Sequence, residues 1–489
     1  MIASVHCRQI LIALMAVTLA LSGCSGRDDH GPIVVDVIGK PAELAEPIRH
    51  AARPTGQVLL GATAQGLVAF DANGEVVGGL AERWIVEDEG QSYIFRIKPA
   101  HWADGKPVKA QEVARALTAR MAASPSLLAG MKPEVRGMTD LVVEIHLDSP
   151  APSFLQLLAQ PAMAIARPGG GTGPFRKSDE HDHVLLQAVH ATTPIEEDGQ
   201  AATRSVPIYV RASRAALGFA RFRAGHSDLV LGGRLEHLPL VAVSNLQAGA
   251  VRADPVSGLF GLIVEGDSAF LQDRDARAIL SMAIDRDRLV QLLNLNGWQT
   301  STTILPGPLD IGRPPAQADW AARTMDQRRG YARSVVANWR KLHGDIAALR
   351  IALPTGPGAR MLYFSLAKDY QAIGLSLIPV APDAPADLRL IDEVAPFDSA
   401  LWYLARLGCE QNRLCSADAD KSISNALHAA SDRDRTAALG VAETAVLAEN
   451  TFIPIGAPIR FALVRGRLTG YQPSPRAIHP LNALIKPGR

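Results

Sequence analysis

The sequence predicts an α/β fold divided into two or three domains, and three observations carry that prediction. A chain of 489 residues is too long for one compact core. The order strand, helix, strand over Leu349 to Leu377 calls for a parallel, helix-flanked sheet. Gly66 to Leu117 sets two strand–turn signals and two tryptophans ahead of a helix. With 47% hydrophobic, 20% charged and 5% aromatic residues, the composition is that of an ordinary globular protein with ample core. A formal net charge of +1 offers no field for nucleic acid or an acidic polymer.

In chain order, Ile33 to Ile38 (IVVDVI) is a β-branched run and reads as the first strand. Asp71-Ala-Asn-Gly74 is a polar turn ahead of Val76-Val77, and Glu87 to Gly90 is a second. Ser92 to Ile97 alternates polar and apolar as a half-buried strand does. Trp102 to Gly105 is a third turn, after which Ala110 to Leu117 puts Val113, Ala114 and Leu117 on one helical face. Met138 to Leu147 alternates and predicts one strand; Pro150 to Ala159 predicts a short helix with Pro near its start. Arg176 to Thr193 predicts a hairpin with a turn at Ser178 to His183. His181, Asp182, His183 and the nearby His190 lack metal-ligand spacing and read as an exposed turn.

Ile208 to Val210 predicts a strand, Ala215 to Arg223 a helix, and Val230 to Gly233 the next strand. Ala278 to Arg286 reads as one helix, with Ile279, Met282 and Ala283 apolar and Arg277 and Asp285 placed for ion pairs. Helices follow at Arg328 to His343, Ala359 to Ile373 and Asp434 to Leu447, with strands at Leu349 to Leu353, Gly374 to Leu377 and Thr451 to Ile455.

The N-terminus reads as an address. Ile10 to Leu21 is apolar but short for a membrane span, and it ends in Leu21-Ser-Gly-Cys24. This resembles the lipobox of bacterial lipoproteins, which implies a signal at 1–23, a lipid on Cys24 and a tether over 24–31. Cys7 leaves with the signal, so Cys409 and Cys415 remain, and outside the cytoplasm two thiols this close are expected to pair.

Leu80-Ala-Glu-Arg-Trp84, Tyr93-Ile-Phe-Arg-Ile97 and Trp102-Ala-Asp-Gly-Lys-Pro-Val-Lys-Ala-Gln-Glu-Val113 stand in fixed order. Further on come Gly171-Thr-Gly-Pro-Phe175, Ala278-Ile-Leu-Ser-Met-Ala-Ile-Asp-Arg286 and Phe397-Asp-Ser-Ala-Leu-Trp-Tyr403. Together these resemble the extracellular solute-binding protein family 5, the peptide, dipeptide and nickel receptors of ABC importers. The resemblance implies a type II periplasmic binding protein: two hinged α/β lobes around mixed sheets plus an accessory α+β domain. Lobe I is expected from 32–65 with 160–262 and 456–489, the accessory domain from 66–159 and lobe II from 263–455.

The resemblance further implies a cleft that receives Trp402, Tyr403 and Arg406, and the loop Ala51, Ala52 and Arg53. Peptide-binding members place an Asp shortly after this Trp to pair with the ligand's amino group; here that position is Ala405 or Leu407, with Glu410 as a substitute. A buried ammonium without a counter-charge costs several kcal/mol, so a free-amino peptide is disfavoured and Arg406 is expected to favour a carboxylate.

No Gly-x-Ser-x-Gly, His-Glu-x-x-His, phosphate loop or Cys-x-x-Cys occurs. Gly169-Gly-Gly-Thr-Gly173 lacks dinucleotide spacing. The expected protein is therefore not an enzyme and needs no cofactor or metal. It is expected to be a monomeric, lipid-anchored, periplasmic-side binder that carries a small, peptide-like or other solute to an ABC permease and ATPase. A receptor or scaffold that kept the fold, and an envelope hydrolase, are the alternatives.

Overall fold

The structure is a computed structural model. It describes residues 31–484 other than 103, 168–169, 190–192, 198–199, 205, 248 and 296. Cys24, the expected signal and His190 lie outside the described residues.

Two mixed sheets form the frame. The first has seven strands, with Ile33–Ile38 near its centre, parallel to Ile208–Ser213 on one side and Leu229–Gly233 on the other. Phe461–Val464 and Val251–Ala253 extend it antiparallel. Ile33–Ile38 is apolar almost throughout because both faces are covered. Its one charge, Asp36, is fully buried and held by Arg211 at 3.1 Å, Arg221 at 3.0 Å and the Ser227 hydroxyl.

The second sheet has five strands, ordered Leu377–Val380, Leu349–Ala352, Leu388–Val394, Gly258–Val264, Phe452–Gly456. Pairing is parallel on both sides of Leu349–Ala352 and antiparallel on both sides of Gly258–Val264. The chain passes between the sheets at 254–257 and 457–460, and these two segments are tied by the Asp254 amide donating to the Arg460 carbonyl at 2.9 Å. Gly258–Val264 lies wholly in the second sheet, so the crossing precedes the expected 262.

A four-stranded antiparallel sheet, Ala81–Glu87, Ser92–Ile97, Val142–His146 and Glu134–Thr139, forms a third unit with the Ala110–Ala122 helix packed on it. The strand expected over Met138 to Leu147 is two strands of a hairpin. Its first arm, Glu134–Thr139, is mostly exposed and carries no apolar alternation. A Cβ at Gly137 would sit 2.7 Å from the Gln111 backbone nitrogen, so the helix approaches this strand only over a glycine.

Two other expectations shift for local reasons. The helix read as continuous to Arg286 breaks at Ile284, because the Asp285 carboxylate caps a new helix at the Arg288 amide, 3.0 Å away. The strand expected from Gly374 starts at Leu377, since Gly374 is left-handed (φ +87°) and closes the preceding helix.

The signature motifs are structural. The Trp102 indole is buried, donates to Glu112 at 2.9 Å and lies under the Arg167 guanidinium, while Asp104 pairs with Arg167. Arg286 is buried with its guanidinium spent on the Ser281, Ser301 and Pro454 carbonyls, and burial lowers its pKa to about 10. One apolar cluster runs from Phe95 and Phe154 of the small sheet unit to Leu401 and Leu404 of the Ala400–Arg406 helix. The small unit is thereby packed onto the second sheet's unit.

Candidate ligand cleft

Ligands in open α/β folds gather beyond the carboxyl ends of the strands, where loops diverge. At that end of the first sheet the Pro54–Thr63 helix begins, with Pro at its first position presetting the helical φ. The neighbouring strand Leu229–Gly233 ends in Gly232-Gly233. Gly232 is left-handed (φ +89°), and a Cβ at Gly233 would meet the Phe461 carbonyl oxygen at 2.5 Å. Arg234 follows directly.

These elements, the turn around Asp71, the end of the Ala110–Ala122 helix, the Asp392 to Pro396 segment and the C-terminal stretch from Arg476 enclose a cavity of about 960 Å³. Its walls come from all three units, a size and placement that suit a small-molecule or short-peptide ligand.

The wall charges are largely spent on each other. Arg406 gives Nε and Nη2 to both oxygens of Glu393 at 2.9–3.1 Å. Arg460, in a crossing segment, gives Nη1 to Asp392 of the second sheet's Leu388–Val394 strand at 2.7 Å, with both side chains about 90% buried. Arg476 donates to the Ala395 carbonyl at 3.0 Å and to Gln156 at 3.2 Å, and pairs with Asp398 at 2.5 Å, so it joins all three units. Asp254 accepts from the Ser474 amide at 2.9 Å and faces His479 Nε2 at 3.2 Å. Asp71 is taken up by the Asn73 and Glu75 amides of its own turn.

Of the expected site residues, Ala51 and Ala52 line the cavity, and so do Trp402 and Arg406. Arg53 is exposed, forms the N-cap of the Pro54–Thr63 helix and is not on the wall. Trp402 is only 5% exposed and edges onto the Tyr403 ring at 4.9 Å, so it is a core side chain that shows one edge to the cavity. Tyr403 is buried behind it, and burial raises its pKa. Arg406 is not a free anion site: the carboxylate it favours is the protein's own Glu393. At the position expected to meet an ammonium, Ala405 and Leu407 carry no charge, and Glu410 is exposed and off the wall.

Cys409 and Cys415 form a disulfide. It closes a loop whose Gln411 reaches the cavity wall and whose Asn412 donates to the Arg406 and Gly408 carbonyls at 2.9 Å. Replacing either cysteine by serine is expected to cost about 2 kcal/mol, the loop-closure entropy of so short a ring. Urea denaturation under non-reducing conditions measures it.

Directly after Arg234, Leu235 and Glu236 abut the start of the Pro357–Gln371 helix. A Cβ at Gly358 would lie 1.9 Å from the Leu235 carbonyl oxygen, and one at Gly356 would lie 2.7 Å from Glu236 Cβ. Glycine lets the helix backbone close onto this turn, and Leu235 is buried in the same apolar cluster as Leu362 of that helix. Burial raises the Glu236 pKa, and its Oε2 has no hydrogen-bond partner among the described residues. Below the unfolded-state pKa both states hold the proton and nothing is lost. As pH rises past it, the unfolded chain releases the proton first, so stability falls until Glu236 itself ionises. Glu236→Gln is accordingly expected to raise the melting temperature more at mildly alkaline than at acidic pH.

Sequence reasoning missed Arg234, Arg120, Asp392, Glu393, Arg460 and Arg476. Only Arg234 carried a local signal, its place at the end of a Gly-Gly-terminated strand.

The family described as "Bacterial extracellular solute-binding proteins, family 5 Middle" matches residues 75–326, and the chain belongs to that family. The fold is that of a type II periplasmic binding protein, as in the Haemophilus influenzae OppA complex with RPPGFSPFR. That likeness has a TM-score of 0.77 at 16% identity and covers 94% of this chain and 100% of the other. Among curated relatives, the probable deoxycholate-binding periplasmic protein YgiS of Escherichia coli is 24% identical over 307 residues. The matched part is 56% of this chain and 56% of YgiS, so the chain spans little more than half the length of that relative. The probable di/tripeptide-binding protein 5 of Pseudomonas aeruginosa is 23% identical over 472 residues, 84% of this chain and 87% of that protein. Among the described residues no helix is long and apolar enough to cross a membrane.

Proposed function

We propose that this chain captures one small, peptide-like solute in the cleft, releases it unaltered to the permease of an ABC importer, and works on the periplasmic side as a lipoprotein held by Cys24. The observation that carries this reading is the cavity of about 960 Å³ walled by all three units. Its supports are the family membership, relatives named for peptides and for deoxycholate, and two crossing segments that can act as a hinge. Closure around a solute shifts the balance between open and closed forms only by the solute's differential affinity for them.

Gly61 supplies the test. It lies in the Pro54–Thr63 helix on the cavity wall, and a Cβ there meets nothing within 4 Å. Gly61→Ala is expected to stabilise the helix by about 0.5–1 kcal/mol and leave solute binding intact. Gly61→Trp puts an indole into the cavity and is expected to lower the solute-bound peak sharply in native mass spectrometry. Equal solute occupancy in both variants would contradict the reading.

A further inference from the structure

The cavity wall carries six arginines, Arg49, Arg120, Arg234, Arg406, Arg460 and Arg476, and four carboxylates, Asp71, Asp254, Asp392 and Glu393. Arg49, Arg406, Arg460 and Arg476 each pair with a carboxylate. Among the wall carboxylates Asp392 and Glu393 pair with arginines, Asp254 faces His479 and the Ser474 amide, and Asp71 accepts only from its own turn. Two guanidiniums are left over. Among the described residues no carboxylate pairs with Arg234, and none pairs with Arg120, which is 92% buried by its 8% exposure and gives only Nε to the Ala162 carbonyl at 2.8 Å.

An uncompensated guanidinium inside a protein costs several kcal/mol unless something answers it. The charges around Arg234 are mixed: Arg460 and Arg53 oppose its guanidinium, Asp392 and Glu236 favour it, and Glu236 is itself shifted towards its neutral form by burial. His237, beside it, is held neutral: burial and the Arg234 charge lower its pKa to about 4. The Pro54–Thr63 helix starts on the same wall and directs the positive end of its dipole there. Asp71, a wall carboxylate with no cationic partner among the described residues, already accepts from two backbone amides of its turn.

From these two unpaired guanidiniums we infer that the cleft selects an anionic solute, with a carboxylate or comparable oxyanion on Arg234 and further negative charge or carbonyl oxygen towards Arg120. The inference rests on the solute-capture reading above and names the chemical class of the cargo. Arg234 is a forked, permanently charged donor and matches a planar carboxylate in two hydrogen bonds.

The test uses the mature protein and three tripeptide probes in isothermal titration. These are N-acetyl-trialanine with its free carboxylate, trialanine amide with its free ammonium, and N-acetyl-trialanine amide with neither. The acetylated acid is expected to bind, and the other two to bind at least about tenfold more weakly. Arg234→Gln is expected to weaken the acid by about 10- to 100-fold with an unchanged melting temperature, and Arg234→Lys to recover part of the loss. Tighter binding of the ammonium-bearing amide overturns the anion inference while leaving solute capture standing. If none of the three binds, the solute released from the purified native protein decides: a solute of net negative charge sustains the inference, and any other overturns it. The absence of both probe binding and any co-purified solute overturns solute capture, and the inference with it.

Discussion

Replacing Asp310 with alanine is expected to lower the stability of the fold by about 3–5 kcal/mol, the cost of leaving a buried partner charge uncompensated. Asp310 accepts from Arg435 at 2.5 Å, from the Ser399 hydroxyl at 2.5 Å and from the Ala400 amide at 2.7 Å. Arg435 is 2% exposed, and the other carboxylate facing it, the half-exposed Asp432, stands 3.7 Å from Nη1, beyond hydrogen-bond distance. The carboxylate thus does two things at once. It neutralises a guanidinium in the core, and it caps the first turn of the Ala400–Arg406 helix, which presents Trp402 and Arg406 to the cleft. Loss of the cap adds about 1 kcal/mol. A fall in the urea midpoint of Asp310→Ala with near-wild-type behaviour of Asp310→Glu supports this account. An unchanged midpoint for the alanine variant contradicts it.

Asp392→Ala is expected to cost a similar amount, about 3–5 kcal/mol, for a different reason. The Arg460–Asp392 pair ties the crossing segment at 457–460 to a strand of the second sheet, and both side chains are nearly out of water. Removing the carboxylate leaves Arg460 with the Ile459 carbonyl and the Asp392 backbone carbonyl as its acceptors. The two residues act as a unit, so their effects are not additive. A double variant, Asp392→Leu with Arg460→Met, is expected to recover most of the stability, because paired apolar groups avoid the desolvation cost of both ions. A double variant as unstable as the sum of the single ones would show that the pair is not coupled.

The fold was readable where one element's own residues dictate it. Ile33–Ile38, Ser92–Ile97 and Ala215–Arg223 stand where the patterns of β-branched and alternating residues and the helical spacing put them. Glu134–Thr139 was invisible because it is an exposed outer strand whose pairing with Val142–His146 needs no apolar face. The motifs that identify the family proved to be packing devices. Trp102 and Arg286 spend their polar atoms inside the scaffold, which is why they locate the fold and say nothing of the cargo.

The site was much less legible. Arg406 stood out in the sequence as a cleft cation, yet its meaning depends on Glu393, which the chain brings beside it from a neighbouring strand. Arg120 reaches the cavity from the small unit and Arg234 and Arg476 from distant parts of the first sheet's unit, so their balance of paired and unpaired charge exists only after folding. Trp402 was expected in the cleft. Its 5% exposure together with its place on the wall shows that one side chain serves as the cleft's floor and the core's edge.

The central claim, that the cleft takes up one molecule and returns it unchanged, meets its most direct test in a release-and-return experiment. The solute is stripped from the purified protein in mild denaturant, identified by mass spectrometry, added back to the refolded protein and followed by calorimetry. The account predicts one solute per chain, saturable heat, and recovery of the same mass after prolonged incubation. A chemically altered product, or no heat on adding the solute back, would contradict it.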